Sequence, residues 1–324
     1  MGKRSRVKTR AGTSQQVGAD GGDAVGPRQP CPCGSGRRYK ACHGSASGPA
    51  PRIVSRPFAG MAAECDLVAM RELVPAASAP LRLREGADLP VTDRSVVLCS
   101  LLPMAAPALV RDDGTVWLGL QVQHGFGDPS RELAAVLLDA LEAEPGAMVG
   151  LTDAPGDGPR LQDLVADEPL EVTVHEGFEY WVADVDDPTG SVHASLEQAN
   201  AAATPTARLT SVEAAYWTNV GTKEHLRWVL PHEEDALLDA LARVHAAGAD
   251  RLVEDGRLVG MFRAHGLLVP VWDLPVGTGP EALEEPVAAL EAALTAALDR
   301  SGEPLTEAER SARSGLANRQ VTIR

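Results

Sequence analysis

The sequence predicts an α+β fold, in which helices and strands alternate irregularly along an acidic body that follows a short N-terminal cysteine cluster. Segments with apolar residues at helical spacing are 130–143, 231–247 and 281–300. Apolar segments typical of strands are 96–102, 115–123, 170–175, 179–183, 257–264 and 266–274. The pairs Glu176-Gly177 and Asp255-Gly256 are predicted to form hairpin turns, because glycine accepts a positive φ there.

Composition divides the chain into a polar start, a globular body and a basic end. The first residues are rich in glycine and nearly free of large apolar side chains, which predicts disorder, whereas globular composition begins at about residue 55. The predicted segments are a disordered basic arm (1–30), a cysteine knuckle (31–44), a linker (45–54), a first α+β half (55–150), a connection (151–168), a second α+β half (169–300) and a basic C-terminal tail (301–324).

A faint internal repeat leaves two interpretations of the body open. In each half an Asp-Gly pair, a strand, a His-Gly pair, a glycine-rich loop and a helix follow one another. The paired motifs are Asp113-Gly114 with His124-Gly125, and Asp255-Gly256 with His265-Gly266. Their spacings differ, so the body is either two similar halves or a single unrepeated arrangement.

Charge separates the N-terminal segment from the rest of the chain. Residues 1–58 contain 11 Lys and Arg and two acids, so the total of −15 leaves −24 for residues 59–324. An acidic body repels phosphate, which leaves the basic arm as the part of the chain predicted to contact nucleic acid. The arm is equally interpretable as a solubilising tail or as a segment that folds back onto the acidic body.

The sequence predicts a cytoplasmic protein without a membrane-spanning segment. No apolar run of signal-peptide length follows the charged start MGKRSRVKTR. The longest uncharged apolar stretch, residues 96–110, is interrupted by Pro103 and Pro107. Cysteines in the reducing cytosol rarely form disulfides, so the five cysteines of this chain favour metal binding.

Residues 31–44, CPCGSGRRYKACHG, predict a zinc site whose four ligands are Cys31, Cys33, Cys42 and His43. Three thiolates and one imidazole form a tetrahedral donor set that Zn²⁺ prefers. Glycines between the two ligand pairs permit a sharp turn, and the basic residues offset the thiolate charge. The alternative is an accidental cluster of inert or disulfide-bonded cysteines, although a disulfide between Cys31 and Cys33 would be strained.

This segment resembles the SEC-C motif, which occurs at the C-terminus of the SecA preprotein translocase motor and in many unrelated bacterial proteins. The resemblance rests on C-P-C-G-S-G, a basic stretch that includes Tyr39, and C-H. It implies a zinc-binding module whose partners, in the translocase, are the chaperone SecB and the ribosome. The chain lacks a G-x-x-x-x-G-K-[ST] phosphate loop, which argues against the motor itself.

The body is similar to an uncharacterised actinobacterial family that couples this motif to an acidic domain of unknown function. The similarity rests on ECDLVAMRELVPAASAPL at residues 64–81 and on SGLANRQVTIR at residues 314–324. Arginine greatly outnumbers lysine, which is typical of a high-GC bacterial genome. The similarity implies no activity.

Candidate catalytic groups in the body are few. His124 and His265 each precede a glycine and are interpretable as paired general bases or as structural turn residues. Because no serine or cysteine nucleophile motif accompanies them, the structural interpretation is favoured. The glycine-rich loops HGFGDP and VGTGP would suit phosphate, but Asp128 is predicted to cap the following helix and would repel it.

Two further groups have ordinary interpretations. Asp184, Asp186 and Asp187 precede a proline and are expected to form a solvated turn rather than a cation site. Cys65 and Cys99 have apolar neighbours and are expected to be small buried residues rather than reactive thiols.

The sequence therefore favours a non-enzymatic adaptor whose zinc module, within residues 1–44, binds a protein partner or the ribosome. The alternative is an enzyme of unknown class that acts through the acidic body, with the zinc module as an accessory. Convergence of His124, His265 or the Asp184 group in one cleft would favour the enzyme. A third hypothesis is a redox sensor that releases zinc when a ligand cysteine is oxidised.

Overall fold

The structure, a computed structural model, describes residues 53–182 and 191–322 together with Gln29 and Arg38, leaving out the side chains of 191–195 and 320–322. The chain divides into two units, Met1–Pro51 and Arg52–Arg324, and all elements named below belong to the second. The predicted arm and knuckle, apart from Gln29 and Arg38, and most of the linker therefore lie outside the described residues.

Seven α-helices occur in the described part of the chain. They are α1 (Glu64–Glu72), α2 (Pro129–Glu142), α3 (Leu161–Leu164), α4 (Ser191–Ala202), α5 (Glu234–Ala246), α6 (Glu284–Leu298) and α7 (Glu307–Ala317). In α2, Leu133, Leu137 and Leu141 recur at helical spacing and are buried, which is why this segment packs as an amphipathic helix. None of the described helices is long and apolar enough to cross a bilayer.

The first sheet has six strands. They are β1 (Ala77–Leu81), β2 (Val96–Cys99), β3 (Ala108–Val110), β4 (Val116–Gly119), β5 (Met148–Val149) and β6 (Thr173–Val174). Their order across the sheet is β5–β3–β4–β2–β1–β6. Neighbours are antiparallel except β2 and β4, which are parallel.

The second sheet also has six strands. They are β7 (Thr206–Arg208), β8 (Ala215–Asn219), β9 (Glu224–Trp228), β10 (Arg257–Ala264), β11 (Leu267–Leu274) and β12 (Gln320–Thr322). Their order is β12–β10–β11–β9–β8–β7, antiparallel except between β10 and β12. His265 and Gly266, with φ of 46° and 82°, form the two-residue turn between β10 and β11, the conformation that a tight hairpin requires.

The two largest of four apolar clusters in the described residues hold most of these elements together. The first joins α1, α2 and the first sheet to one face of the second sheet, which contributes Tyr216 and Val269. The second covers the opposite face of the second sheet with α5 and α6, around Trp228 and Trp272. Successive residues of a strand point to opposite faces, so the nearly continuous apolar run of β11 serves both clusters. Helix α1 thus contributes to the core that the two sheets share.

The α+β prediction is confirmed, and the three predicted helices correspond to α2, α5 and α6. Segments 257–264 and 266–274 form the hairpin β10–β11. The strand predicted at 179–183 is wrong, because Glu179–Val182 form a 3-10 turn. The rings of Phe178 and Trp181 stack with their centroids 4.2 Å apart, and this packing outweighs the β propensity of the aromatic residues.

The two predicted hairpin turns are also wrong. Glu176-Gly177 lies between β6 and the 3-10 turn, and Asp255-Gly256 lies in the loop that precedes β10. The described hairpin turns include Asp113-Gly114, between β3 and β4. An Asp-Gly pair favours a turn, but only pairing with distant strands decides which elements flank it.

The two sheets have a similar strand order, but the repeated Asp-Gly motifs do not precede equivalent strands. The first runs β6–β1–β2–β4–β3–β5 and the second β7–β8–β9–β11–β10–β12. The parallel pair β2–β4 corresponds in this order to the antiparallel pair β9–β11. Asp113-Gly114 precedes β4, whereas Asp255-Gly256 precedes β10, which corresponds to β3. The division into two related halves stays a prediction, and the predicted tail, 301–324, includes α7 and β12.

Candidate functional site

Charged side chains of helix α1, whose sequence is ECDLVAMRE, bind residues in several other parts of the body. Its carboxylates Glu64 and Asp66 are only 4% and 6% exposed, so each needs a partner to offset the loss of water. Glu64 accepts hydrogen bonds from Nε and Nη2 of Arg56 at 2.6 and 2.8 Å. Arg56 also donates to Glu233 at 2.7 Å and thereby joins α1 to the segment before α5.

Asp66 is bound by two residues of the second sheet. Arg208 of β7 donates to its two carboxylate oxygens at 3.2 and 3.0 Å. The hydroxyl of Tyr216 on β8 donates to Oδ1 at 2.7 Å. Burial and the charge of Asp66 raise the pKa of Tyr216 well above its usual value, so the hydroxyl remains a donor. This network joins α1 to the second sheet and has a structural role.

Glu72, at the end of α1, pairs with the predicted catalytic candidate His265. Nε2 of His265 lies 2.8 Å from Oε1 of Glu72. This hydrogen bond lowers the pKa of Glu72, although burial opposes the shift. His265 therefore lies in the left-handed turn between β10 and β11 and contacts α1, whereas its lack of a catalytic role stays a prediction.

A cavity of about 290 Å³ lies beside the end of α1 and the start of α2. Its walls include the 3-10 turn Pro103–Ala105, the end of β4, the loop after β4 and residues 148–151. The lining is mostly apolar, with Leu133 and Val136 of α2 among the wall residues. The cavity is therefore the kind of concave, largely apolar site that small molecules occupy in proteins.

Arg71 and Glu132 place opposite charges in this apolar wall. The side chain of Arg71 is 16% exposed, and its Nη1 donates to the carbonyl of Leu120. Burial lowers the pKa of Arg71 while Glu72 and Glu132 raise it, and a guanidinium remains charged throughout the ordinary pH range. Glu132 is 7% exposed. Within the part of the chain that the structure describes, Arg71 and Glu132 form no ion pair with each other.

Both glycine-rich loops use their amides internally. In HGFGDP, Oε1 of Glu132 accepts hydrogen bonds from the amides of Phe126 and Asp128 at 2.8 and 3.0 Å. In VGTGP, the carboxylate of Glu224 accepts from two loop amides at 2.6 and 2.9 Å. In both loops these amides therefore donate to a carboxylate of the protein itself, as expected for an ordinary loop. Asp128 is at the N-cap position of α2 as predicted, but its carboxylate pairs with Arg160 at 2.8 Å instead of the helix amides.

The predicted catalytic groups do not converge where the structure describes them. His124 is exposed and lines the cavity, whereas His265 is held by Glu72 and is not part of the cavity wall. Asp184, Asp186 and Asp187 lie outside the described residues. His124 and His265 therefore do not line the same cavity.

Cys65 and Cys99 have apolar surroundings, and Cys99 is buried whereas Cys65 is partly buried. Burial, reinforced by neighbouring carboxylates, raises the pKa of Cys65 to about 12, and burial raises that of Cys99 to about 12. Both are therefore protonated thiols at neutral pH in the metal-free protein. Among residues 53–182 and 191–322, no group of three or more His, Cys, Asp or Glu is arranged to hold a metal ion.

The predicted zinc ligands Cys31, Cys33, Cys42 and His43 all lie outside the described residues. Their chemistry still fits the metal, since three thiols and one imidazole supply the four donors of a structural zinc site.

The sequence patterns did not predict that Arg71 and Glu132 line a cavity. Arg71 lies next to Glu72 within a segment whose sequence indicates only the family resemblance, and Glu132 lies in the polar first turn of α2. Glutamate in a first helical turn is common, because it favours the helix dipole and caps free amides. The sequence around Glu132 therefore indicated only a helix cap, because the position of Glu132 in a cavity wall depends on how distant elements pack.

Comparison with known proteins agrees with both parts of the sequence resemblance. The SEC-C motif matches residues 28–45. The chain is 64% identical over 33 residues to the protein translocase subunit SecA of Solibacter usitatus (strain Ellin6076), a match that covers 10% of this chain and 3% of that protein. No solved structure matches the chain. The model of a family of unknown function, DUF5926, matches residues 57–324, and the chain therefore belongs to the DUF5926 family and carries an N-terminal SEC-C motif.

Proposed function

We propose that this protein is a zinc-dependent adaptor of the cytoplasm, in which the SEC-C module recognises a protein partner or the ribosome. The observation that carries the proposal is the SEC-C match over residues 28–45, which includes all four predicted zinc ligands. The module and its preceding arm are basic, whereas the body is acidic. The N-terminal residues 1–44 are therefore the part of the chain expected to attract a phosphate-rich or acidic partner.

Zinc has a structural role in this proposal. Cys31, Cys33, Cys42 and His43 would hold one Zn²⁺, and the metal would supply folding free energy on the order of 10 kcal/mol to a segment too polar to form a core. Arg37, Arg38 and Lys40 lie between the ligand pairs and would present positive charge beside the metal.

The body supports an adaptor better than an enzyme. Its buried carboxylates Asp66 and Glu224 bind Arg208 and loop amides, which are structural tasks. Its two catalytic candidates, His124 and His265, belong to different environments, one in the cavity wall and one in a hairpin turn. A hydrolytic or acid–base site would bring such groups within reach of one substrate.

The metal assignment is tested by elemental analysis of the full-length protein and two cysteine variants. We expect about one equivalent of zinc in the wild type, because the motif has four donors for one tetrahedral ion. Cys42→Ser should lose most of this zinc, whereas Cys65→Ser should retain it, because Cys65 is a protonated thiol of α1. Equal zinc contents in the two variants would contradict the assignment.

The adaptor role is tested by affinity capture and ribosome sedimentation with the same proteins. The wild type and Cys65→Ser should bind the same partners, and Cys42→Ser should lose them while its circular dichroism remains close to that of the wild type. Deletion of residues 1–48 should have the same effect as Cys42→Ser. An unchanged set of partners after that deletion would contradict the proposed adaptor role.

A further inference from the structure

The cavity lined by Arg71 and Glu132 has no part in the proposed zinc module. We propose that it binds a free apolar α-amino acid as its zwitterion, with the guanidinium of Arg71 toward the ligand's carboxylate and the carboxylate of Glu132 toward its ammonium group. The apolar walls take the ligand's side chain. This inference concerns the body alone and does not depend on the adaptor function.

The size of the cavity suits this class of ligand. Its volume of about 290 Å³ is close to the lower end of ligand pockets in proteins, roughly 300–1,000 Å³. Even at the roughly 30 Å³ that a separate water molecule occupies in the liquid, the nine non-hydrogen atoms of leucine or methionine would need about 270 Å³, so the cavity is large enough for either ligand. The walls include Phe126, Leu133, Val136 and Leu151, so a charged ligand side chain would lose its water without gaining a partner.

The two charged groups of the wall favour a ligand that carries both signs. Arg71 uses Nη1 for the carbonyl of Leu120 and forms an ion pair with Glu72 through Nε at 3.6 Å, while its Nη2 donates no hydrogen bond to any described residue. Glu132 uses Oε1 for two loop amides, while its Oε2 accepts no hydrogen bond from any described residue. Each group therefore retains bonding capacity in a low-dielectric wall, where a single-sign ligand would satisfy one charge and oppose the other.

Gly125 keeps the free oxygen of Glu132 accessible. A Cβ atom at position 125 would lie 3.1 Å from Oε2 of Glu132, closer than ordinary van der Waals contact. The absence of a side chain at this position leaves room for a donor beside that oxygen. An ammonium group, with three donors on a compact nitrogen, fits such a space.

Two exposed methionines form part of the cavity lining. These are Met104 and Met148, which are 72% and 50% exposed. Methionine is flexible and adapts its shape to apolar partners. Met104 and Ala105 also have positive φ values of 57° and 53°, a strained backbone for residues with a side chain, and strained turns cluster at binding sites.

The charge assignment is tested by titration calorimetry of the full-length wild type with L-leucine. N-acetyl-L-leucine lacks the ammonium charge and L-leucinamide lacks the carboxylate, so each should bind at least tenfold more weakly than leucine. L-lysine keeps both backbone charges but adds a charged side chain, and it should give no measurable binding. L-methionine should bind within about tenfold of leucine because the two side chains are similar in size and polarity.

The location is tested with two variants that preserve the fold. Gly150 lines the cavity and is exposed, and a Cβ added at this position would have the ring of Pro107 as its nearest neighbour, at 3.7 Å. Gly150→Leu, whose Cβ meets no clash, should therefore place its side chain in the cavity and weaken leucine binding at least tenfold. Gly315→Leu, the matched control in α7, should bind leucine like the wild type, since that position has no neighbour within 4 Å and lies outside the cavity wall.

Glu132→Gln separates charge from structure at the same site. Glutamine retains an oxygen for the amides of Phe126 and Asp128, so the loop should stay folded, but the ammonium group loses its counter-charge. Leucine should bind at least tenfold more weakly to this variant. Absence of leucine and methionine binding to the folded wild type, equal binding of the two blocked analogues and leucine, or undiminished binding to Gly150→Leu would each overturn the proposal.

Discussion

The hydrogen bond from Tyr216 to Asp66 is a sensitive probe of how α1 is attached to the second sheet. Tyr216→Phe removes a single hydroxyl from a side chain that is 1% exposed and leaves the packing of the ring unchanged. The lost bond spans 2.7 Å and ends on a buried carboxylate. Asp66 would keep its pair with Arg208 but lose one of its three donors.

The expected cost follows from the charge of the acceptor. A hydrogen bond to a charged group contributes about 1.5–3 kcal/mol to the free energy of unfolding, so we expect Tyr216→Phe to lose about 2 kcal/mol. Tyr180→Phe is the matched control, because the Tyr180 hydroxyl donates to the neutral carbonyl of Leu101 at 3.3 Å from a half-buried position. Its removal should cost less than about 1 kcal/mol.

Urea unfolding followed by tryptophan fluorescence measures both variants. The dependence on urea should keep the wild-type slope, since neither change alters the surface exposed on unfolding, and the midpoint of Tyr216→Phe should shift further than that of Tyr180→Phe. A double-mutant cycle with Asp66→Asn should show that the effects of Tyr216→Phe and Asp66→Asn are coupled. Equal costs for the two tyrosine changes would refute the reasoning that the charged acceptor dominates.

Two further predictions concern other parts of the body. Burial opposes ionisation of Glu284, but hydrogen bonds from Ser211 and Thr210 outweigh it and lower its pKa to about 2. Because the folded pKa lies below the unfolded value of 4.5, ionised Glu284 stabilises the protein fully above pH 4.5 and progressively less as the pH falls toward 2. Glu284→Gln should therefore flatten the loss of stability in that window, measured by urea unfolding at several pH values. Gly119→Ala would place a Cβ 2.5 Å from a backbone carbonyl oxygen and should lower the free energy of unfolding by about 1–3 kcal/mol, whereas Gly315→Ala, in open space on α7, should raise it by about 0.5–1 kcal/mol in the same assay.

Helical periodicity predicted the long helices well because their burial is set within one segment. Helix α2 shows this, since its leucines recur at the spacing of one helix face and enter the core together. The hairpin β10–β11 was predictable for a similar reason, as two apolar runs flank a His-Gly turn. The short strands β7 and β12 carry no comparable pattern and depend on neighbours for pairing.

The zinc ligands within residues 31–44 can be predicted from the sequence alone, because four donors at a characteristic spacing need no distant partner to be recognised. Metal binding there stays a prediction. The family resemblance was also a property of the chain alone, and it is confirmed by the family match over residues 57–324.

Local pattern therefore determined the α+β class, the amphipathic helices and the SEC-C motif. Only the tertiary structure decided what the charges of α1 do, because Asp66 meets Arg208 across 142 positions of the chain and Glu72 meets His265 across 193. The cavity between Arg71 and Glu132 was equally beyond local pattern. Helical spacing reports which residues share a face, whereas burial and electrostatic pairing depend on which distant element packs against that face.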